Sequence, residues 1–299
     1  MKAIDIHDLS KSFGRVRALD AVSFSVEKGE LFGLIGPDGA GKTTLFRLLT
    51  TLLTPDGGTA SVDGFDIVND YLAIRSRVGY MPGRFSLYPD LTVGENLEFF
   101  AALFGVTVGE SYDLVAPIYK QIEPFRMRCA GKLSGGMKQK LALSCALIHR
   151  PSVLFLDEPT TGVDAVSRSE FWDMLAGLKQ KGITILVSTP YMDEASRCDR
   201  IALCNEGRIL GIDTPDGIVR QFDAPLYAVR AANMYALLSA ARRVEGVAEC
   251  YPFGEMHHLV ADKGFDIERF RERLKGLDGL SIEPTEPTIE DIFIKWMKR

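Results

Sequence analysis

LFGLIGPDGAGKTT, Leu31 to Thr44, opens as an apolar run of strand length, turns through Gly36, Gly39 and Gly41, and enters the helical pattern that continues as LFRLLTTLL. Within it Gly36-Pro37-Asp38-Gly39-Ala40-Gly41-Lys42-Thr43 fits the spacing GxxxxGK[ST], in the context that spacing needs, after a strand and at a helix start. The residue types explain the chemistry. Glycines let successive backbone N–H groups turn inward around phosphate oxygens, and the helix start adds the positive end of its dipole. Lys42 offers a point charge to terminal phosphates and Thr43 a hydroxyl to Mg²⁺. A glycine-rich turn with an incidental lysine would not need strand, loop and helix all in register.

Further along, SVLFLDEP carries Asp157 and Glu158 out on four apolar residues, Val153 to Leu156. That is the carboxyl end of a strand, where open α/β sheets keep their ligands. There Asp157 would hold the Mg²⁺ shell and Glu158 would take a proton from an attacking water. Alone, an apolar run ending in two acids is a weak signal, since acids often end strands in solvent. The phosphate cradle upstream makes it a strong one.

Around these two stretches, apolar runs alternate with helical patterns over about the first 220 residues: GELFGLIG, GKTTLFRLLTTLL, SVLFLD, SRSEFWDMLAGLKQ, ITILVST. Such alternation predicts a mainly parallel sheet wrapped by helices. AIDIHDL and VSFSV predict antiparallel strands before it, and RIALCNEGRILGI a hairpin turning at Asn205-Glu206-Gly207. Between Phe85 and His149 the patterns are helical: TVGENLEFFAALFG, YDLVAPIYKQI with a break at Pro117, and SGGMKQKLALSCALIHR. After Phe222 the order β-α-β-β-α-β and a last helix, IEDIFIKWMK, predicts a small α+β ferredoxin-like domain. The reading is therefore a domain over 1–222, with a helical lobe inserted across about 85–150, and an accessory domain over 223–299.

Bulk composition narrows the class. The 299 residues suffice for two domains whose cores need no disulfide or metal staple. Content of 46% apolar and 25% charged excludes wholesale disorder. No apolar run reaches the roughly 18 residues a spanning helix needs, and MKAIDIHDLSKS enters a strand-like alternation, so the chain reads as cytosolic. Five cysteines without ligand spacing read as reduced packing residues. A net charge of −5 without a basic stripe gives no support to a nucleic-acid partner.

Between the cradle and the two acids stands Leu133-Ser134-Gly135-Gly136-Met137-Lys138-Gln139. Ser134 reads as an N-cap, and Gly135 and Gly136 expose the next amides, so this helix start is a second anion site. With it the chain resembles the ATP-binding cassette (ABC) ATPases, P-loop NTPases whose signature is LSGGQ, from Met1 to about Phe222 and in the family's motif order. The resemblance implies a mixed-sheet core, an antiparallel β subdomain and the inserted helical subdomain. It implies ATP and Mg²⁺ as ligands, with Thr44 joining Gly36 to Thr43 at the nucleotide, Thr43 and Asp157 at the metal, and Glu158 as catalytic base. It further implies a second cassette, head to tail, so that Leu133 to Met137 of one subunit close on the ATP of the other. Met137 in place of Gln leaves the backbone donors alone. Phe13, in KSFG, matches the aromatic that stacks on adenine, and Asp164, in Thr161-Gly162-Val163-Asp164, matches the residue that aligns the dimer. The helical lobe matches the part that receives a membrane partner's coupling helix; Phe85, Leu87 and Tyr88 could make that contact or pack in the core.

Two positions depart from the family. After Val78-Gly79-Tyr80-Met81-Pro82 the family has a Gln, and here Gly83 then Arg84 follow; after ILVST it has a His, and here Pro190 follows. Neither residue can orient a water or donate to a phosphate, while Lys42, Thr43, Asp157 and Glu158 keep binding and a base in place. The wording FSLYPDLTV, LSGGMKQKLAL and YMDEASRCDR, with a tail ending TEPTIEDIFI, is similar to the ATPase subunits of bacterial ABC-2-type exporters of the multidrug or daunorubicin-resistance kind. That similarity implies paired cassettes beneath separate ABC-2-type permeases, peripheral on the inner face of the cell membrane. An ATP-gated clamp with little hydrolysis is the alternative that Gly83 and Pro190 raise. A soluble non-transport ABC protein is another, which the single cassette and missing basic stripe disfavour.

Overall fold

A strand buried on both faces carries an unbroken apolar run, and a half-exposed one alternates. In the computed structural model, which describes residues 1–298, the chain opens on two alternating strands, β1 (Lys2–Phe13) and β2 (Val16–Glu27), paired antiparallel. β3 (Leu31–Ile35), buried at every residue, leads into helix α1 (Lys42–Leu49). β4 (Gly57–Val62) pairs with the other edge of β1, and β5 (Phe65–Asp66) completes a sheet ordered β2-β1-β4-β5. The glycine-rich GGTASV gives β4 almost no pattern of its own, and its pairing with β1 makes it a strand.

After α2 (Tyr71–Arg75) and β6 (Val78–Met81) come three helices of the inserted lobe, α3 (Val93–Leu103), α4 (Val108–Tyr119) and α5 (Gly135–Leu147). Thr92 with Glu95 and Thr107 with Glu110 form capping boxes that set where α3 and α4 begin. The break expected at Pro117 is absent, because α4 runs through it. Proline has no N–H for the carbonyl of Asp113 four residues back, but Lys181 Nζ donates to that carbonyl at 3.3 Å.

β7 (Val153–Asp157), α6 (Ala165–Gln180), β8 (Thr184–Thr189), β9 (Arg200–Asn205) and β10 (Arg208–Asp213) complete the second sheet, ordered β10-β9-β3-β8-β7-β6. From β9 to β6 every pair is parallel, and β10 closes the edge as the antiparallel arm of the expected hairpin. Phe46 of α1 meets Phe155 of β7 edge to face at 5.9 Å, and Phe24 of β2 stacks on Phe32 of β3 at 5.3 Å, so one core joins both sheets. Because β3, β8, β7 and β6 are adjacent and parallel, their carboxyl ends open on one edge, a row about 14 Å long at the usual strand spacing.

α7 (Pro215–Val219) carries the chain past Asp216, where it divides into two compact units, Met1–Asp216 and Gly217 onward. This falls ahead of the 222/223 boundary read from sequence, where Asp223-Ala224-Pro225 only introduces the next strand. The second unit runs β11 (Leu226–Arg230), α8 (Met234–Ala241), β12 (Val247–Phe253), β13 (Met256–Ala261), α9 (Ile267–Arg273), β14 (Ser281–Pro284), α10 (Ile289–Trp296). Its antiparallel sheet, ordered β12-β13-β11-β14, is the ferredoxin-like arrangement.

Buried Asp291 pins α10 to this unit. Tyr251 Oη donates to its Oδ1 at 2.6 Å, His258 Nδ1 lies 2.6 Å from the same oxygen, and Thr288 gives its N–H and its hydroxyl to Oδ2 at 2.7 Å each. Burial by itself would raise this carboxyl's pKa, but the bonds from Tyr251, His258 and Thr288 outweigh it and hold the group below its ordinary 3.8. With the folded value below the unfolded one, the stabilisation is complete above about pH 4 and is lost as pH falls through the lowered value. Asp291→Ala is expected to cost about 2–3 kcal/mol at pH 7 by urea unfolding. It should also flatten the acid side of the stability curve, and an unchanged acid limb would contradict this role.

Candidate functional site

The loop after β3 is shaped by close approach. A Cβ on Gly36 would stand 2.2 Å from the Cys204 carbonyl, and one on Gly41, at φ +96°, would stand 2.4 Å from the Ala18 carbonyl, so only glycine fits either place. Gly41 is also the N-cap of α1, and no side chain accepts from the first amides of that helix. An uncapped helix start at the carboxyl edge of a sheet is an anion site. Lys42, 4% exposed, lies under it. Its Nζ donates to the carbonyls of Gly36 at 2.7 Å and Pro37 at 2.9 Å and sits 3.1 Å from Glu158 Oε1. Two donors of the ammonium are thereby engaged by backbone and its charge is paired with the carboxylate.

Two strands away, β7 delivers Asp157 and Glu158. Glu158 adopts φ +50°, a left-handed conformation that costs a non-glycine residue about 1–2 kcal/mol. Its N–H is held by the Ser188 carbonyl at 3.1 Å and the Ser188 hydroxyl at 3.0 Å. That hydroxyl in turn donates to Asp157 Oδ1 at 2.7 Å, so Ser188 of β8 fixes both acids at once. Beside them burial, aided by the Asp157 charge, pushes the Tyr80 hydroxyl up to about 12.

The cleft above the loop holds about 500 Å³ and is lined by Asp38 to Thr44, Glu158, Val16, Arg17, Ala18 and Glu206. No sequence motif singles out the last four as site residues. Glu206 has a signal all the same, since the β9–β10 turn carries it: Gly207 N–H donates to the Ala40 carbonyl at 3.1 Å and binds that turn to the loop. Phe13 is 48% exposed and pairs in register with Val16, so it stands outside the core beside the cleft wall. Among the described residues no cluster of three His, Cys, Asp or Glu side chains could hold a metal unaided. Of the two residues expected at a metal, Thr43 lines the cleft and Asp157, 2% exposed, does not; a hydroxyl and a carboxyl are hard oxygen donors of the kind Mg²⁺ takes.

The remaining positions lie apart from the cleft lining. Ser134 caps α5, accepting from Met137 N–H at 3.4 Å, and none of Leu133 to Met137 lines the cleft. Asp164 caps α6, accepting from Val166 and Ser167, bonds that lower its pKa. A Cβ on Gly83 would stand 3.0 Å from the Asp157 carbonyl, which puts that loop against the two acids. Pro190 follows β8, and across it Tyr191 N–H donates to Thr189 Oγ1 at 3.1 Å. Phe85 and Tyr88 are exposed, but Leu87 is buried at 6%, so of the three only Leu87 packs inside.

Relatives of known description bear on this geometry. The family described as ABC transporter matches residues 19–161. The chain is 39% identical over 97% of its length to the probable multidrug ABC transporter ATP-binding protein YbhF of Escherichia coli (strain K12), of which it spans about half, 51%. It is 37% identical to the Nod factor export ATP-binding protein I of Burkholderia lata over 98% of this chain and 96% of that one. Among solved structures, an ATP binding subunit of an ABC transporter superposes with a TM-score of 0.67 at 31% identity, over 74% of this chain and 93% of the other. The dimeric post-hydrolysis state of the ATP-binding cassette MJ0796, bound to ADP and Pi, gives 0.63 at 26% identity, over 71% and 98%. The glycine-rich loop, the paired acids and the capped LSGG helix thus stand in a fold shared with the two solved cassettes, and the chain belongs to the ABC transporter family as an ATP-binding domain.

Proposed function

We propose that this chain is the ATP-hydrolysing subunit of an ABC-2-type exporter, closing with a second cassette around ATP–Mg²⁺ beneath separate permease subunits. The observation that carries the reading is the contact between Lys42 and Glu158 at 3.1 Å. Buried Lys42 already has two loop carbonyls and one carboxylate around it, so an arriving phosphate competes with one of them. Exchanging Glu158 for phosphate costs least, because the two loop carbonyls are fixed by backbone. Lys42 then holds the terminal phosphate, and Glu158 is released to accept a proton from a water as its oxygen bonds to that phosphorus and the bond to the ADP oxygen breaks. Thr43 and Asp157 would hold Mg²⁺, which supplies charge neutralisation to the phosphates.

The second cassette is supported by the signature helix, whose amides form an anion site that the chain's own cleft does not use. Export is supported by the similarity to the Nod factor export ATP-binding protein, and a multidrug cargo class by the similarity to YbhF. Permease docking is supported by a groove of about 490 Å³ lined by Tyr80, Met81, Leu87, Phe100, Leu103 and Phe104, with Phe85, Tyr88 and Phe99 exposed on the same lobe. No helix among the described residues is long and apolar enough to cross a membrane.

Glu158→Gln is expected to lower steady-state ATPase of the chain with its permease about 100-fold or more while ATP still binds. Equal rates for this variant and the parent would instead favour the ATP-gated clamp, the reading suggested by Gly83 and Pro190.

The two departures give a sharper comparison. Pro190→His returns a donor at the end of β8 and is expected to raise turnover about tenfold. Gly83→Gln must displace the Asp157 carbonyl by a few tenths of an ångström and is expected to gain less. A lower rate for Pro190→His would mean that the turn is built around proline.

A further inference from the structure

Glu194 is a glutamate only 3% exposed, five residues beyond the end of β8. Both of its oxygens are bonded: Thr160 Oγ1 donates to Oε1 at 2.8 Å and Thr189 Oγ1 donates to Oε2 at 2.5 Å. Thr160 and Thr189 are themselves 1% and 0% exposed. The two hydroxyls belong to different segments of the chain. Thr160 lies two residues after Glu158, and Thr189 stands directly before Pro190 and also accepts the Tyr191 N–H across it. Behind them Arg168, near the start of α6, lies over the Tyr191 ring at 4.5 Å. Its Nε is buried without a hydrogen bond, 3.8 Å from Glu194 Oε1.

A buried carboxyl group is costly, and an apolar side chain would fill the same volume at no such cost. Its retention needs the bonds it makes. We infer that Glu194 is a positioning residue that ties the loop after Glu158 to the turn at Pro190, so that the two segments move as one body. The kinetic half of this inference rests on the reading of Glu158 as a hydrolytic base. The mechanical half does not, since the bonds exist without turnover.

The test uses the full chain and two readouts. In the first, deuterium exchange is followed in residues 159–164. Glu194→Leu should speed it about fivefold or more, and Thr189→Val should speed it too, but Thr189→Val should add nothing in the Glu194→Leu background. Should Glu194→Leu fail to fold, Thr160→Val, Thr189→Val and their pair carry the same non-additivity. In the second, ATPase is measured with the permease. Glu194→Leu should lower kcat about tenfold with KM within about twofold, and Glu194→Gln, whose amide can still bond both threonines, should restore kcat to within about twofold of the parent. Unchanged exchange in Glu194→Leu overturns the inference, as does strict additivity of the threonine effects. A kcat that falls in step with a rising KM, unrestored by Glu194→Gln, reduces the residue to a structural one. If the parent itself hydrolyses no faster than Glu158→Gln, the hydrolytic reading fails, and the exchange readout alone decides the inference.

Discussion

A lysine ammonium almost wholly out of water must find partners, and Lys42 finds them in two loop carbonyls and one carboxyl group. That contact presupposes most of the first unit. It needs β3 and β7 separated by one strand only, so that the residue after the glycine loop and the residue after Asp157 reach across β8. It needs Gly36 and Gly41 where a Cβ would strike backbone, so that the loop curls over the amine. It needs Glu158 in a left-handed turn, held by Ser188, so that the carboxyl points back toward the loop instead of along the strand. Uncompensated removal of either partner from such a pair is costly, whereas replacement by another anion is cheap. On the proposed reading, this is how the resting site selects for a phosphate-bearing ligand.

Much of this is legible in the amino-acid order alone. The glycine spacing, the apolar run ending in Asp157 and Glu158, and the Ser134 cap are local signals, each contained within about ten residues. The alternation of strands and helices announces the parallel sheet. What the order of residues hides is non-local. β4 is polar and glycine-rich, and its state is decided by the free edge of β1. Pro117 reads as a helix break, and only Lys181, far along the chain, supplies the bond that lets α4 continue. Leu87 and Tyr88 are neighbours in sequence, yet one is buried and the other exposed, a difference set by the packing of the lobe. Glu194 lies in YMDEASR, and nothing nearby in sequence announces the two threonines that bond it.

The departures at Gly83 and Pro190 gain a physical context from the same neighbourhood. A side chain at position 83 would press on the Asp157 carbonyl, and glycine lets that loop lie against the acids. At position 190 the backbone is already bridged, because Tyr191 bonds to the Thr189 hydroxyl and that hydroxyl bonds to Glu194. Proline holds its own φ near −65° and has no N–H to satisfy, so it fits a turn whose flanking groups are committed on both sides. Both replacements remove a mobile polar side chain, and at position 190 proline also restricts the backbone.

A site that loses mobile donors but stiffens its frame shifts the burden of alignment from side chains to backbone. In solution chemistry an oriented group accelerates a reaction because its ordering has been completed before the reaction begins. Ser188 bonds to Asp157 and Glu158, and Glu194 bonds Thr160 to Thr189, two sets of hydrogen bonds that adjoin where Ser188 and Thr189 are neighbours in β8. Such a frame orders Glu158 whether or not a phosphate is present. On the proposed reading, the step left for nucleotide binding is the exchange at Lys42, an electrostatic event centred on one ion pair.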